Sequence, residues 1–207
     1  MLGQSFLHLK EVMSEALKID GYTVKIEQDH DPMNPRTDFD NVGKMICFHP
    51  RYDLGDEQPK CSPDEYLFRM MYDREFDLHG KWVPENIKKE CLEAYINKHF
   101  AILPLYLFDH SGLSMSVKPY GCPWDSGEIG FIYVDTESKE YDDLVAGLTA
   151  EVETYNQYLQ GDVWGYTIEN PAGDVTDSCW GFYGFDCCKS EAMHILSGYQ
   201  KQLALCA

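Results

Sequence analysis

Between Val163 and Tyr183 the sequence constrains its own fold more tightly than anywhere else. Val163 to Glu169 and Val175 to Tyr183 are rich in β-branched and aromatic residues, and only a short turn around Asn170-Pro171-Ala172-Gly173 parts them. A link that short joins antiparallel neighbours, because a parallel pair needs a crossover of a dozen residues or more. The same pattern occurs upstream. Ala101 to Phe108 (AILPLYLF) is the most apolar strand candidate, and Leu113 to Val117 pairs back on it through His110-Ser111-Gly112. Pro104 has no N–H for a ladder, so its place inside that run points to an edge position or a bulge. Tyr22 to Glu27, Lys44 to Phe48 and Gly130 to Val134 complete the strand candidates.

Helical spacing accounts for most of the rest. Phe6, Leu9, Val12, Met13, Ala16 and Leu17 predict an amphipathic helix over residues 4–18, stopped by Asp20-Gly21. Ser62-Pro63-Asp64-Glu65 is a helix start: serine caps, proline suits the first position and glutamate completes a capping box, with the helix running to about Phe76. Pro84 opens another, with Ile87, Cys91, Ala94 and Tyr95 on one face. Tyr141, Leu144, Val145, Leu148, Val152, Tyr155 and Leu159 form a long stripe ended by Gly161. A last helix, from about Ser190 to Leu205, turns Ala192, Ile195, Leu196, Tyr199 and Leu203 inward. The expectation is an α+β fold, an antiparallel or mixed sheet of about seven strands packed by about five helices. With no repeat, low-complexity tract or linker, residues 1–207 are expected to form a single domain that includes the N-terminal helix over 1–20.

Composition narrows the function. Apolar residues make up 44% and aromatics 14%, enough to form a core and to exclude disorder. The formal net charge is −18, which excludes direct binding to nucleic acid or to an anionic membrane surface and leaves basic partners. No apolar run approaches ~18 residues, and the first residues lack the basic start and apolar block of a signal peptide. A cytoplasmic protein with eight reduced cysteines is expected. The sequence has no G-x-x-x-x-G-K-[ST], no G-x-G-x-x-G and no G-x-S-x-G. Cys47 and His49, or Asp29-His30-Asp31, are spaced for metal contact, but paired ligands do not recur. No cofactor and no metal are therefore expected.

Two readings of the polar residues stay open. In the first, carboxylates gather into an acidic face for a basic partner. Spread over about 10,000 Å², −18 amounts to about one charge per 550 Å², against about one per 110 Å² on duplex DNA. Imitation of DNA therefore requires clustering, for which Asp53, Asp56, Glu57, Asp135, Glu137, Glu140, Asp142, Asp143, Glu151 and Glu153 are the candidates. In the second, His49, Arg51, Asp53, Asp109, His110, Ser111, Trp124, Asp125 and Ser126 form the polar pocket of a small enzyme or ligand-binding protein. Cys122 and His110 could pair at strand ends in that reading, and the glycine-flanked aromatics of residues 178–184 line a pocket or pack the core.

Several segments also resemble a known group. NVGKMICFHPRYDLGD (41–56), LPLYLFDHSG (103–112), CPWDSGEIGFIYV (122–134), VETYNQYLQGDVWGY (152–166) and DSCWGFYG (177–184) are similar to a family of acidic proteins of bacteriophages and mobile elements. The resemblance implies an accessory protein acting in an infected bacterial cell. Its implied partner is a host nucleic-acid-binding defence protein, of restriction or CRISPR type, which it would bind and inhibit. It implies no catalytic residues.

Overall fold

The structure is a computed structural model that describes residues 14–84, 87–137 and 143–206, with side chains as far as Lys201. In chain order the elements are β1 (Ser14–Ile19), β2 (Tyr22–Gln28), β3 (Lys44–Cys47), α1 (Pro63–His79), α2 (Lys89–His99), β4 (Phe100–Asp109) and β5 (Leu113–Ser116). Then follow β6 (Ser126–Asp135), α3 (Leu144–Gln160), β7 (Val163–Glu169), β8 (Val175–Tyr183) and α4 (Phe185–Cys206). The class is α+β as expected, but among the described residues there are four helices and eight strands, not about five and seven, and the strands form two antiparallel sheets in place of one. The chain divides into two compact units, Met1–Met33 with Gly161–Ala207, and Asn34–Gln160. Among the described residues, no helix is long and apolar enough to cross a membrane.

The first unit carries the sheet β1-β2-β7-β8 with α4 packed on it. Val24, Ile26, Tyr166 and Ile168 of the two middle strands meet Cys188, Ala192 and Leu196 of α4. The β7–β8 hairpin falls on the bounds that its turn predicted. Gly165 has a packing reason, since a Cβ there would lie 2.2 Å from the Trp180 ring on the paired strand. Residues 14–19 differ from the expected helix: they form β1, paired with β2 from Ser14↔Glu27 to Ile19↔Tyr22. Asp20 (φ 51) and Gly21 (φ 85) make the two-residue turn. Asp-Gly between alternating residues is a strong hairpin signal, and it outweighs the helical spacing of Ala16 and Leu17. The remainder of that expected helix lies outside the described residues.

The second unit is a sheet, β3-β6-β4-β5, covered on both faces. Neighbouring residues on one strand point to opposite sides, so Met45 and Ile132 join Leu148, Val152 and Tyr155 of α3. Ile46 and Phe131 join Tyr66, Met70 and Met71 of α1 and Leu92 and Ile96 of α2. Burial on both faces is why these strands read as continuous apolar runs. Glycine permits the closest approaches, since a Cβ on Gly130 would sit 1.9 Å from the Ile46 carbonyl oxygen. Both edges of this sheet are occupied. Asp56 and Glu57 bond to the Met45 carbonyl along β3 at 2.8 and 3.3 Å. Asn156 of α3 accepts from the Met115 N–H of β5 at 2.8 Å. Pro104 fits both of its predicted roles: β5 covers β4 only from Tyr106 to Asp109, and a register shift follows at Leu105/Tyr106.

Three further helix predictions need correction, one of them at α4, which starts at Phe185 and not at about Ser190. Only the serine half of the capping box forms, with Ser62 Oγ accepting from the Glu65 N–H at 3.2 Å, and the helix continues to His79. The second helix starts at Lys89, not Pro84, and it buries an adjacent stripe. Leu92 and Ile96 are buried, and the predicted Ile87 and Tyr95 pack partly buried against the same core, while Cys91 and Ala94 are exposed.

Gly130→Ala is expected to cost about 2–4 kcal/mol in urea denaturation, because the intruding methyl meets backbone that cannot swing away. Gly147→Ala, which meets nothing within 4 Å on α3, should stabilise by about 0.5–1 kcal/mol. Equal effects of the two changes would contradict this account of the sheet.

Candidate functional site

Arg36 organises the second unit. Only 6% exposed, it lies in a loop whose turn is held by the Asn34 side chain, which accepts from the Arg36 N–H at 2.9 Å. Nε and Nη2 grip both oxygens of Asp56, Nη1 reaches Glu151 at 2.7 Å and Asn41 at 3.0 Å, and Nη2 also bonds the Gly43 carbonyl at 2.8 Å. Five donors meet five acceptors, the most a guanidinium can satisfy. The carboxylates are themselves bound: Asp56 accepts from the Met45 N–H at 2.7 Å, and Glu151 from the N–H of Gly43. No donor remains for a ligand, so the network holds structure.

It also changes the meaning of the expected acidic face. Asp56 and Glu151 are bound to Arg36. Asp135 and Glu137 pair with the buried Arg74, each at 2.8 Å. Glu57 takes Lys44 at 2.7 Å and the Tyr66 hydroxyl at 3.1 Å, and chiefly through Lys44 its carboxyl is held below the usual range. Asp143 caps α3 through the Ala146 N–H at 2.9 Å. Asp53 and Glu153 are exposed and have no hydrogen bond or ion pair among the described residues. Glu140 and Asp142 lie outside them. Nor is charge segregated. The first unit holds five basic and twelve acidic residues over 80 positions, the second twelve and twenty-three over 127.

The polar segments of the second reading do converge. β4 and β6 run side by side to Phe108↔Ser126, and the Asp109 N–H bonds the Asp125 carbonyl at 2.8 Å. The Phe48 N–H reaches the Ile129 carbonyl at 2.6 Å, which brings the chain after β3 to the same end. The result is an open cavity of about 610 Å³, lined by His49, Arg51, Asp109, Trp124, Asp125 and Ser126 with Tyr52, Leu107, Gly127 and Ile129. Of the expected set, Asp53, His110 and Ser111 do not line it, and Ser111 takes a positive φ of 59° in the turn.

Each polar group has a defined state. His49 Nδ1 accepts from the N–H groups of Arg51 and Tyr52, both at 3.3 Å, which assigns the proton to Nε2. Burial, and then the Arg51 charge, hold His49 below its ordinary pKa against the opposing pull of Asp109. Its ring stacks on Tyr52 at 4.9 Å. Asp109 Oδ2 accepts from Arg51 at 2.7 Å and from the Tyr52 hydroxyl at 3.0 Å, and this second bond raises the Tyr52 pKa. Asp125 Oδ2 faces His110 Nδ1 at 3.3 Å and the Cys122 thiol at 3.7 Å. The envisaged Cys122–His110 pair is therefore parted by a carboxylate, which a thiol can donate to but which does not activate it. The Ser126 hydroxyl donates to the Cys122 carbonyl. Trp124 is 92% exposed.

The cavity thus has no nucleophile joined to a base. Among the described residues no group of three or more His, Cys, Asp or Glu side chains could hold a metal ion. Cys47 is buried, its thiol pushed up to about 12 by desolvation and then by Asp56. Sequence reasoning overlooked Tyr52 in the pocket, and Arg36 and Arg74 beneath the acids. The available signal was a lone arginine among carboxylates, as in Asp73-Arg74-Glu75. No protein-family model, curated protein or solved structure matches the chain.

Two measurements check this geometry. Arg36→Met strands two carboxylates and should cost about 3–5 kcal/mol in denaturant unfolding. In an NMR titration, His49 should have its midpoint below 6.5, raised by Arg51→Gln and lowered further by Asp109→Asn. The folded state holds this proton less tightly than the unfolded chain. The His49 contribution to stability is thus complete above pH 6.5 and is lost as the pH falls through the window below it. A midpoint unmoved by either substitution contradicts the assigned contacts.

Proposed function

We propose that the protein is a binding protein whose cavity in the second unit takes a flat cationic group, of the kind an arginine side chain of a basic partner presents. The observation that carries this reading is Trp124, 92% exposed, on the same cavity wall as Asp125. A bare indole face attracts a guanidinium by about 0.5–2 kcal/mol, and a carboxylate beside it supplies a counter-charge. Oδ1 of Asp125 has no partner among the described residues. Arg51 does not oppose the ligand's charge, since it is paired with Asp109 and lies over the Tyr52 ring at 5.4 Å. The lack of a nucleophile–base pair favours binding over catalysis.

The net charge of −18 supports the same partner class from a distance, because a summed negative field draws basic proteins before contact. The partner that the family resemblance implies, a host nucleic-acid-binding defence protein in the bacterial cytoplasm, would present arginines placed for phosphate. Inhibition would follow from occupying them. On this reading the cavity gives specificity, and the diffuse acidity gives attraction.

Calorimetry with an arginine-rich peptide and its citrulline counterpart tests the proposal. The arginine peptide should bind, weaken as salt rises, and lose affinity about 5- to 30-fold with Trp124→Ala or Asp125→Asn. Equal binding of the citrulline peptide, or indifference to both substitutions, overturns it.

A further inference from the structure

One face of α1 is buried in the core, and a second stripe is only partly covered, where Phe68, like Val83, packs against the edge of the same core. Tyr66, Met70, Met71 and Arg74 point inward. Glu65, Phe68, Tyr72 and Phe76 follow at helical spacing on another side, where Phe76 is exposed. The chain then turns back over this second stripe. Gly80 takes the left-handed conformation at φ 61, its N–H bonds the Phe76 carbonyl at 2.9 Å, and the Lys81 N–H bonds that of Glu75 at 3.3 Å. This closed helix end delivers Trp82 edge-on to Tyr72 at 5.8 Å and to Phe76 at 6.2 Å. An indole used for packing would be covered, yet Trp82 is 79% exposed.

Phe68, Tyr72 and Trp82 border one cavity of about 310 Å³, with Glu65, Arg69 and Val83. Three aromatic rings thus border one volume. The Glu65 carboxylate has no hydrogen bond or ion pair among the described residues, because only its backbone N–H is used by Ser62. Arg69 also borders the neighbouring cavity of Lys44, Tyr66 and Tyr133, where its charge acts on Glu57 and Tyr66. Asp64, Asp73, Glu75 and Asp77 make the rest of the helix acidic. A single flat ring suits a guanidinium, whereas several rings bordering one volume with one free carboxylate suit a rounded cation whose charge is spread over methyl groups.

We infer that the cavity between Phe68, Tyr72 and Trp82, with Glu65 at its rim, binds a trimethylammonium group. Two sources carry that group, a free small molecule such as choline and the side chain of a trimethylated lysine. The site is separate from the Trp124 cavity and stands or falls independently of it.

Titrating the full chain with choline, with a trimethyl-lysine peptide, and with 3,3-dimethylbutan-1-ol (the uncharged carbon counterpart of choline) tests this. The readout is the Trp82 indole N–H resonance, assigned by its loss in Trp82→Phe. A shift with choline identifies a small-molecule site, and a shift with the peptide alone identifies a modified side chain. Glu65→Gln, whose side chain bears no folding contact, should weaken either several-fold. No shift with either cation, equal binding of the alcohol, or no effect of Glu65→Gln overturns the inference.

Discussion

The guanidinium of Arg36 holds the second unit together. Its five donors tie a loop to the segment after β3 and to α3, elements that no local sequence signal connects. A buried charge costs several kcal/mol in desolvation, so such a group persists only when every donor is met. Here two carboxylates, an amide and a carbonyl meet them. Asp56 in turn bonds the Met45 N–H, so the same network helps to occupy the edge of β3. Unpaired strand edges invite association with other chains, and here the edge is closed from within.

That constraint explains why the acidity of the chain is a poor guide to an acidic surface. Acids that look free in the sequence are the counter-ions of Arg36, Arg74 and Lys44. What the closed sheet leaves open is its far end, where β4 and β6 separate and the chain leaves β3. Side chains there face water on a rigid base formed by Leu107 and Ile129, as binding groups on loops commonly do. The cavity and the ion network are thus two ends of one sheet.

Much of the fold was legible from local pattern. The β7–β8 hairpin, the β4–β5 turn and the α3 stripe from Leu148 to Leu159 are short-range features, and they appear where turn chemistry and periodicity place them, whereas Val145 of that stripe is exposed and Tyr141 lies outside the described residues. β1 was misread because six residues carry too few repeats to separate a period of 2 from one of 3.6, and Asp20-Gly21 serves equally as a helix stop or a hairpin turn. The α2 face was misread at Cys91 and Ala94, because Leu92 and Ile96, one turn apart on an adjacent stripe, carry the larger apolar side chains into the core. Of the pocket, the polar members were visible as residues odd for packing alone. Tyr52 was not, since a tyrosine packs a core as readily as it lines a polar site, even between Arg51 and Asp53.

The sequence by itself determined the α+β class, the antiparallel pairing and the high acidity, because each follows from near neighbours or from a simple sum. Only the tertiary structure decided which carboxylates are neutralised and which residues share a cavity. Arg36 meets Glu151 across 115 positions, and Arg51 meets Asp109 across 58. Pairings at that range depend on strand register and helix packing, which no local pattern encodes.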